Sequence, residues 1–136
     1  MKTGDLVAFR GTGIVSWVIR KWTDSPYSHV GVLWVHNGVE LVLEAMPGQG
    51  VACNALGNRM KDRPIVFVTG REVEIHRALP HLGDRYSFLD AVEAGLDDRE
   101  SDGKGWQCAM FAAWLLGIDH TQEGLTPEKL VDIVAE

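Results

Sequence analysis

The chain has 136 residues, 46% hydrophobic and 24% charged, ordinary globular proportions that exclude a disordered or fibrous protein. That length suits one domain over residues 1–136, since two separate cores would each bury too little surface. The net charge of −6, with no Lys/Arg cluster, argues against a nucleic-acid or anionic-membrane partner, and two cysteines are too few for a disulfide scaffold.

Asp5 precedes any apolar run, so no signal peptide is expected, and no apolar stretch reaches the ~18 residues of a membrane span. The cytoplasm is the default expectation, with a phage- or secretion-associated context as the alternative. Residues 5–9 (DLVAF) read as a short strand. Ile14, Trp17, Val18 and Trp22 recur at helical spacing, which predicts an amphipathic helix over 13–23, ended by TDSPYS. Two β-rich runs follow, 28–35 and 39–46, separated by His36-Asn37-Gly38, where Asn-Gly is a strong hairpin signal. Val30, Val32 and Trp34 on one face, with Leu33 and Val35 on the other, predict a sheet covered on both sides. Further short strands are expected at 51–53, after the PGQG turn, and at 64–68.

The second half reads as helical. Helices are expected over 71–81 and 87–95, joined by LGDRYS, and then a polar loop over 96–105. That loop leads into WQCAMFAAWLLG (106–117), apolar all round and stopped by Gly117, which belongs in a core. Thr126-Pro127-Glu128 opens a last helix to about Ala135 in good cap order. Strands followed by helices make an α+β domain.

Cys108 falls in the first turn of the buried helix, where unpaired backbone N–H groups and the positive helix end favour a thiolate and can hold an oxyanion. The competing reading is a small buried hydrophobe. A nucleophilic thiol needs a base, and the base an orienting group. His29 and Glu44 fit these roles if the hairpin register allows. A two-residue turn sets Gly31 opposite Glu44 with His29 as its diagonal neighbour, and a four-residue loop sets His29 directly opposite; a three-residue loop separates them onto opposite faces. Gly31 would leave open space beside the imidazole. An ionised Glu44 in the apolar run VLEAM is costly without a partner, which His29 supplies. His36, His76, His81 and His120 fall in turns or on helix surfaces and carry no expected role. Cys53 reads as incidental, and a Cys53–Cys108 disulfide is disfavoured. No metal is expected, because His29, Glu44 and Cys108 lack local ligand spacing and a fourth ligand; no cofactor is implied either.

GDLVAF (4–9), SPYSHVGVLW (25–34), VLEAMPGQGV (42–51) and GWQCAMFAAWLLG (105–117) stand in the order of the circularly permuted NlpC/P60 cysteine hydrolases, and the chain most resembles their YiiX/YebB-like branch, a group related to lecithin:retinol acyltransferase-like proteins. The resemblance covers nearly the whole chain and is weakest over 53–100. It implies a permuted papain-like fold, a small antiparallel sheet packed against helices, with the His-bearing strand early and the Cys-bearing helix near the C-terminus. Carried over, the nucleophile falls on Cys108, the base on His29 and the orienting residue on Glu44. Tyr86 matches the family's aromatic residue near the site, and Trp106 and Tyr27 are further candidates for a substrate wall; Trp22 is better read as core. One departure is Cys108-Ala109-Met110 where relatives often read Cys-Ser-Glu. The segment LTPEKL also resembles the C-terminal helix of relatives found in prophages.

The expected activity is a thiol hydrolase, a cysteine peptidase or amidase acting through a thioester on a peptide-like substrate such as a cell-wall peptide. One alternative is a lipid or thioester acyl hydrolase or acyltransferase; another is an idle binding or structural protein that keeps the fold. A protein partner for targeting is compatible with each.

Overall fold

In a computed structural model, described for residues 1–11, 26–46, 49–85, 106–122 and 124–135, five strands form one antiparallel sheet. They are β1 (Leu6–Phe9), β2 (His29–His36), β3 (Val39–Met46), β4 (Gly50–Ala55) and β5 (Pro64–Phe67), in the spatial order β4-β3-β2-β1-β5. Pro64, which cannot donate to a ladder, opens the strand at one edge, where that costs least.

The β2–β3 turn sets the register. Asn37 and Gly38 both adopt left-handed φ, 51° and 78°, the pair a two-residue type I′ turn requires. Val32 therefore lies opposite Leu43 and Leu33 opposite Val42, and one step beyond this ladder Gly31 lies against Glu44, whose Cβ a side chain there would meet at 3.1 Å. Alternation then sorts the side chains. Val30, Val32, Leu43 and Ala45 face one apolar cluster, and Val7, Phe9, Leu33 and Val42 face another that includes Leu56. The sheet is thus apolar on both sides, as the strand pattern predicts.

Three α-helices are described: α1 (Ile75–Ala78), α2 (Cys108–Leu116) and α3 (Pro127–Ala135). α2 packs across β2 and β3 and supplies the buried Ala109, Phe111, Ala112 and Leu115 to the first cluster. Gly117, at φ 75°, closes it in the expected place, with its N–H returned to the helix carbonyls. α3 starts at Pro127 with the Thr126 hydroxyl accepting from the Lys129 N–H, and it packs on α2, β1 and β5.

Four expectations change. The helix predicted over 71–81 reduces to α1 and a 3₁₀ turn, Leu79–His81. Pro80 has no N–H and disfavours helical backbone before it, and the Arg71 main chain runs so close to Gly4 that a Cβ there would meet the Arg71 carbonyl oxygen at 2.3 Å. β4 extends beyond 51–53 because it pairs with β3 along six residues, from Gly50 to Ala55. A 3₁₀ segment, Leu56–Asp62, follows it where no element was expected. The last strand stops at Phe67, one residue early. The helices expected over 13–23 and 87–95 and the loop 96–105 lie outside the described residues.

Candidate active site

Cys108 is the first residue of α2, and Gln107 before it is extended and caps the helix. The Gln107 side-chain oxygen accepts from the Ala109 N–H at 2.9 Å, and its amide donates to the Leu125 carbonyl at 3.1 Å. One buried side chain thereby fixes where the helix begins and ties its start to the segment leading into α3. The thiol is consequently held at the positive end of the helix.

His29 opens β2, and its imidazole lies close enough to the Cys108 side chain for the two to interact. Its Nε2 lies 2.6 Å from Oε1 of Glu44. With Nε2 committed to the carboxylate, Nδ1 is the ring nitrogen left to face the thiol. The imidazole also packs on Phe9, its direct neighbour across the β1–β2 ladder, at 5.4 Å between ring centroids. Burial by itself pushes the imidazole's pKa down; its interactions with the Cys108 side chain and with the hydrogen-bonded, charged carboxylate of Glu44 outweigh it and carry the value up to about 9. The ring is therefore held as an imidazolium through neutral pH.

Glu44 is fully buried. Burial would raise its pKa, but the bond and charge of His29, joined by those of Arg59, hold it down at about 2. Arg59 comes from the 3₁₀ segment. Its Nε donates to both carboxylate oxygens, at 3.3 and 3.1 Å, and Nη2 donates to Oε1 at 3.1 Å. Its remaining arm, Nη1, pairs with Asp62, and the guanidinium lies over the Phe9 ring, 4.3 Å from its centroid. Asn54 on β4 donates to Glu44 Oε2 at 3.1 Å.

Gly31 has a different part from the one expected. The space beside it is filled: a Cβ there would meet Val42 Cγ1 at 2.6 Å, the Leu43 carbonyl oxygen at 3.0 Å and Glu44 Cβ at 3.1 Å. The missing side chain lets β3 lean in toward β2 and carries Glu44 toward His29.

The three residues predicted for the site thus come together, and two partners were missed. Asn54 and Arg59 sit within residues 51–61, which hold no acid or histidine of their own; the readable signal was a buried Glu needing more than one donor. Among the other candidates, Tyr27 is half-buried and packs edge-on against Phe67, alongside the first cluster. Trp106 adjoins the helix start, but its indole N–H points to Asp84 at 3.3 Å and its ring meets Phe111, Trp114 and His81. His81, expected to be idle, bonds Asp84 at 2.7 Å within this aromatic group. Tyr86 and Trp22 lie outside the described residues. Cys53 is half-buried against the first cluster, and both cysteines are free.

No family model and no curated protein matches the chain. Among solved structures it is similar to the metalloprotein YiiX from Escherichia coli O157:H7, at 21% identity and a TM-score of 0.60, over 86% of this chain and 67% of that one. The likeness is one of fold. Among the described residues here, no group of three or more His, Cys, Asp and Glu side chains could hold a metal ion. The charge around Glu44 comes from His29 and Arg59. No described helix is long and apolar enough to cross a membrane.

Proposed function

We propose that the protein is a cysteine hydrolase that cleaves an amide by acyl transfer through a thioester on Cys108. The observation that carries this reading is a helix-start thiol beside His29, whose Nε2 lies 2.6 Å from Oε1 of a buried carboxylate. The fold it implies is the permuted papain-like one, with the His strand before the Cys helix.

In the resting pair the proton already sits on the His29 imidazole, and Sγ attacks the carbonyl carbon. The backbone N–H of Cys108 faces the oxyanion at the start of the helix. As the C–N bond breaks, the imidazolium gives its proton to the leaving amine, and the acyl group stays on sulfur. The neutral imidazole then takes a proton from water, which attacks the thioester; the C–S bond breaks, and the acid and the thiol are released. Glu44 holds the ring in one orientation throughout. The resemblance to the NlpC/P60 cysteine hydrolases points to a peptide-like acyl group, and a cell-wall peptide is the substrate class we favour.

Alkylation tests the reading directly. Cys108 should react with iodoacetamide faster than a free thiol at about pH 6, where an unassisted thiol is almost wholly protonated. Cys108→Ala should abolish hydrolysis of a muropeptide panel, with an acyl-lipid panel run beside it to separate substrate classes. Ordinary thiol reactivity together with hydrolysis that survives Cys108→Ala would overturn the proposal.

A further inference from the structure

Arg59 is a charged group beside the Cys108–His29–Glu44 line that the proposed reaction does not use. It is a buried cation, its side chain only 10% exposed, and it spends three of its contacts on both oxygens of a carboxylate with no exposed surface at all. A surface arginine forming a decorative ion pair would look different: solvated, with one oxygen engaged. Here the guanidinium is also clamped from the other side by Asp62 and covered by Phe9, the ring that packs on His29. Four charged groups then alternate in sign, Asp62, Arg59, Glu44 and His29, with the Cys108 sulfur next in line.

We propose that Arg59 is a positioning residue, which orients the Glu44 carboxylate toward His29 and sets how strongly the imidazole holds its proton, with Asp62 adjusting the strength of that effect. The proposal rests on the reading of Cys108 as the nucleophile. Two physical arguments support it. The first is geometric: with Nε and Nη2 bridging both oxygens, the carboxylate plane cannot rotate without breaking charge-assisted bonds, so Oε1 stays aimed at Nε2. The second is electrostatic. A cation sharing Glu44 draws on the same negative charge that holds the proton on His29 and repels the imidazolium directly. Arg59 thus moderates the base, leaving a proton that can still be given to a leaving amine. Among the described residues, the charged and titratable groups facing His29 are Cys108 from α2, Glu44 from β3, and Arg59 and Asp62 beyond it from the 3₁₀ segment.

Histidine titration followed by NMR of the imidazole nitrogens tests this apart from turnover. In Arg59→Gln the His29 midpoint should move upward by about one pH unit, because a nearby positive charge is gone, and Arg59→Lys should bring it back toward the wild-type value. Hydrolysis at neutral pH should fall about tenfold or more in Arg59→Gln, with its alkaline limb displaced in the same direction. Asp62→Asn, a milder change that keeps Glu44 partnered, should move the midpoint the opposite way, downward, since Arg59 loses the charge that offsets it. That variant carries the test if Arg59→Gln does not fold. A midpoint unchanged in the folded variants, or moved in the same direction by Arg59→Gln and Asp62→Asn, overturns the proposal, whatever happens to the rate. If the midpoints shift as stated while Cys108 shows ordinary thiol reactivity and hydrolysis survives Cys108→Ala, the electrostatic role of Arg59 stands and the hydrolase reading fails.

Discussion

A carboxylate stripped of water keeps its charge only when donors surround it, and Glu44 has them in His29, Arg59 and Asn54. Its partner His29 is held in the opposite sense, as a cation. Both shifts feed into stability, with opposite signs. For His29 the folded value of about 9 lies above the ordinary 6.5, so its contribution is complete below about pH 6.5 and lost as the pH climbs through 9. For Glu44 the folded value of about 2 lies below 4.5, so its contribution is present above about pH 4.5 and lost as the pH falls through 2. Urea unfolding across pH should therefore show a plateau between about 4.5 and 6.5 with a decline on each side. In Glu44→Gln the acid decline should shrink, and the alkaline one should soften because His29 loses the anion that holds its proton. A profile unchanged by that substitution would contradict the assigned pair.

At the scale of elements, a hairpin and a helix start do most of the positioning. The hairpin places Glu44 by register, and the absence of a side chain at Gly31 brings it close. Gly31→Ala puts a methyl against Val42, Leu43 and Glu44, contacts of 2.6–3.1 Å that the strand can relieve only by moving away. It should cost about 1–3 kcal/mol in stability by chemical denaturation. Hydrolysis should fall further than the loss of folded protein accounts for, because the displaced strand carries the carboxylate. Equal losses of both would reduce Gly31 to a packing residue. This hairpin was readable in advance because Asn-Gly and period-two alternation are local signals. The Cys108 helix was readable too, as an apolar run between Gly105 and Gly117. Arg59 was not, because it arrives from a 3₁₀ segment whose residues, LGNRMKD, have neither strand nor helix period. The helix expected over 71–81 failed for a related reason: its apolar spacing was acceptable, but Pro80 and the pairing of 69–71 with the N-terminal segment prevailed.

In the whole molecule, one sheet separates two apolar clusters, and the charged line is assembled from both sides of it. α2 brings the thiol from the side of the first cluster. Glu44, Arg59 and Phe9 belong to the other side, where Leu56 anchors the 3₁₀ segment against β3 and β4. The two sets meet where β2 begins, so the site depends on the helix and the 3₁₀ segment staying docked on opposite faces together. The burial of Glu44 has a further consequence, which concerns salt. The net charge of −6 creates a field that dissolved ions screen beyond ~10 Å at 0.1 M, but mobile ions cannot enter the space between an unexposed carboxylate and its partners. Raising the ionic strength should therefore weaken the approach of a charged substrate and leave the His29 titration midpoint nearly where it was. The protein would keep a constant internal chemistry in media of very different ionic strength, with salt acting on encounter alone.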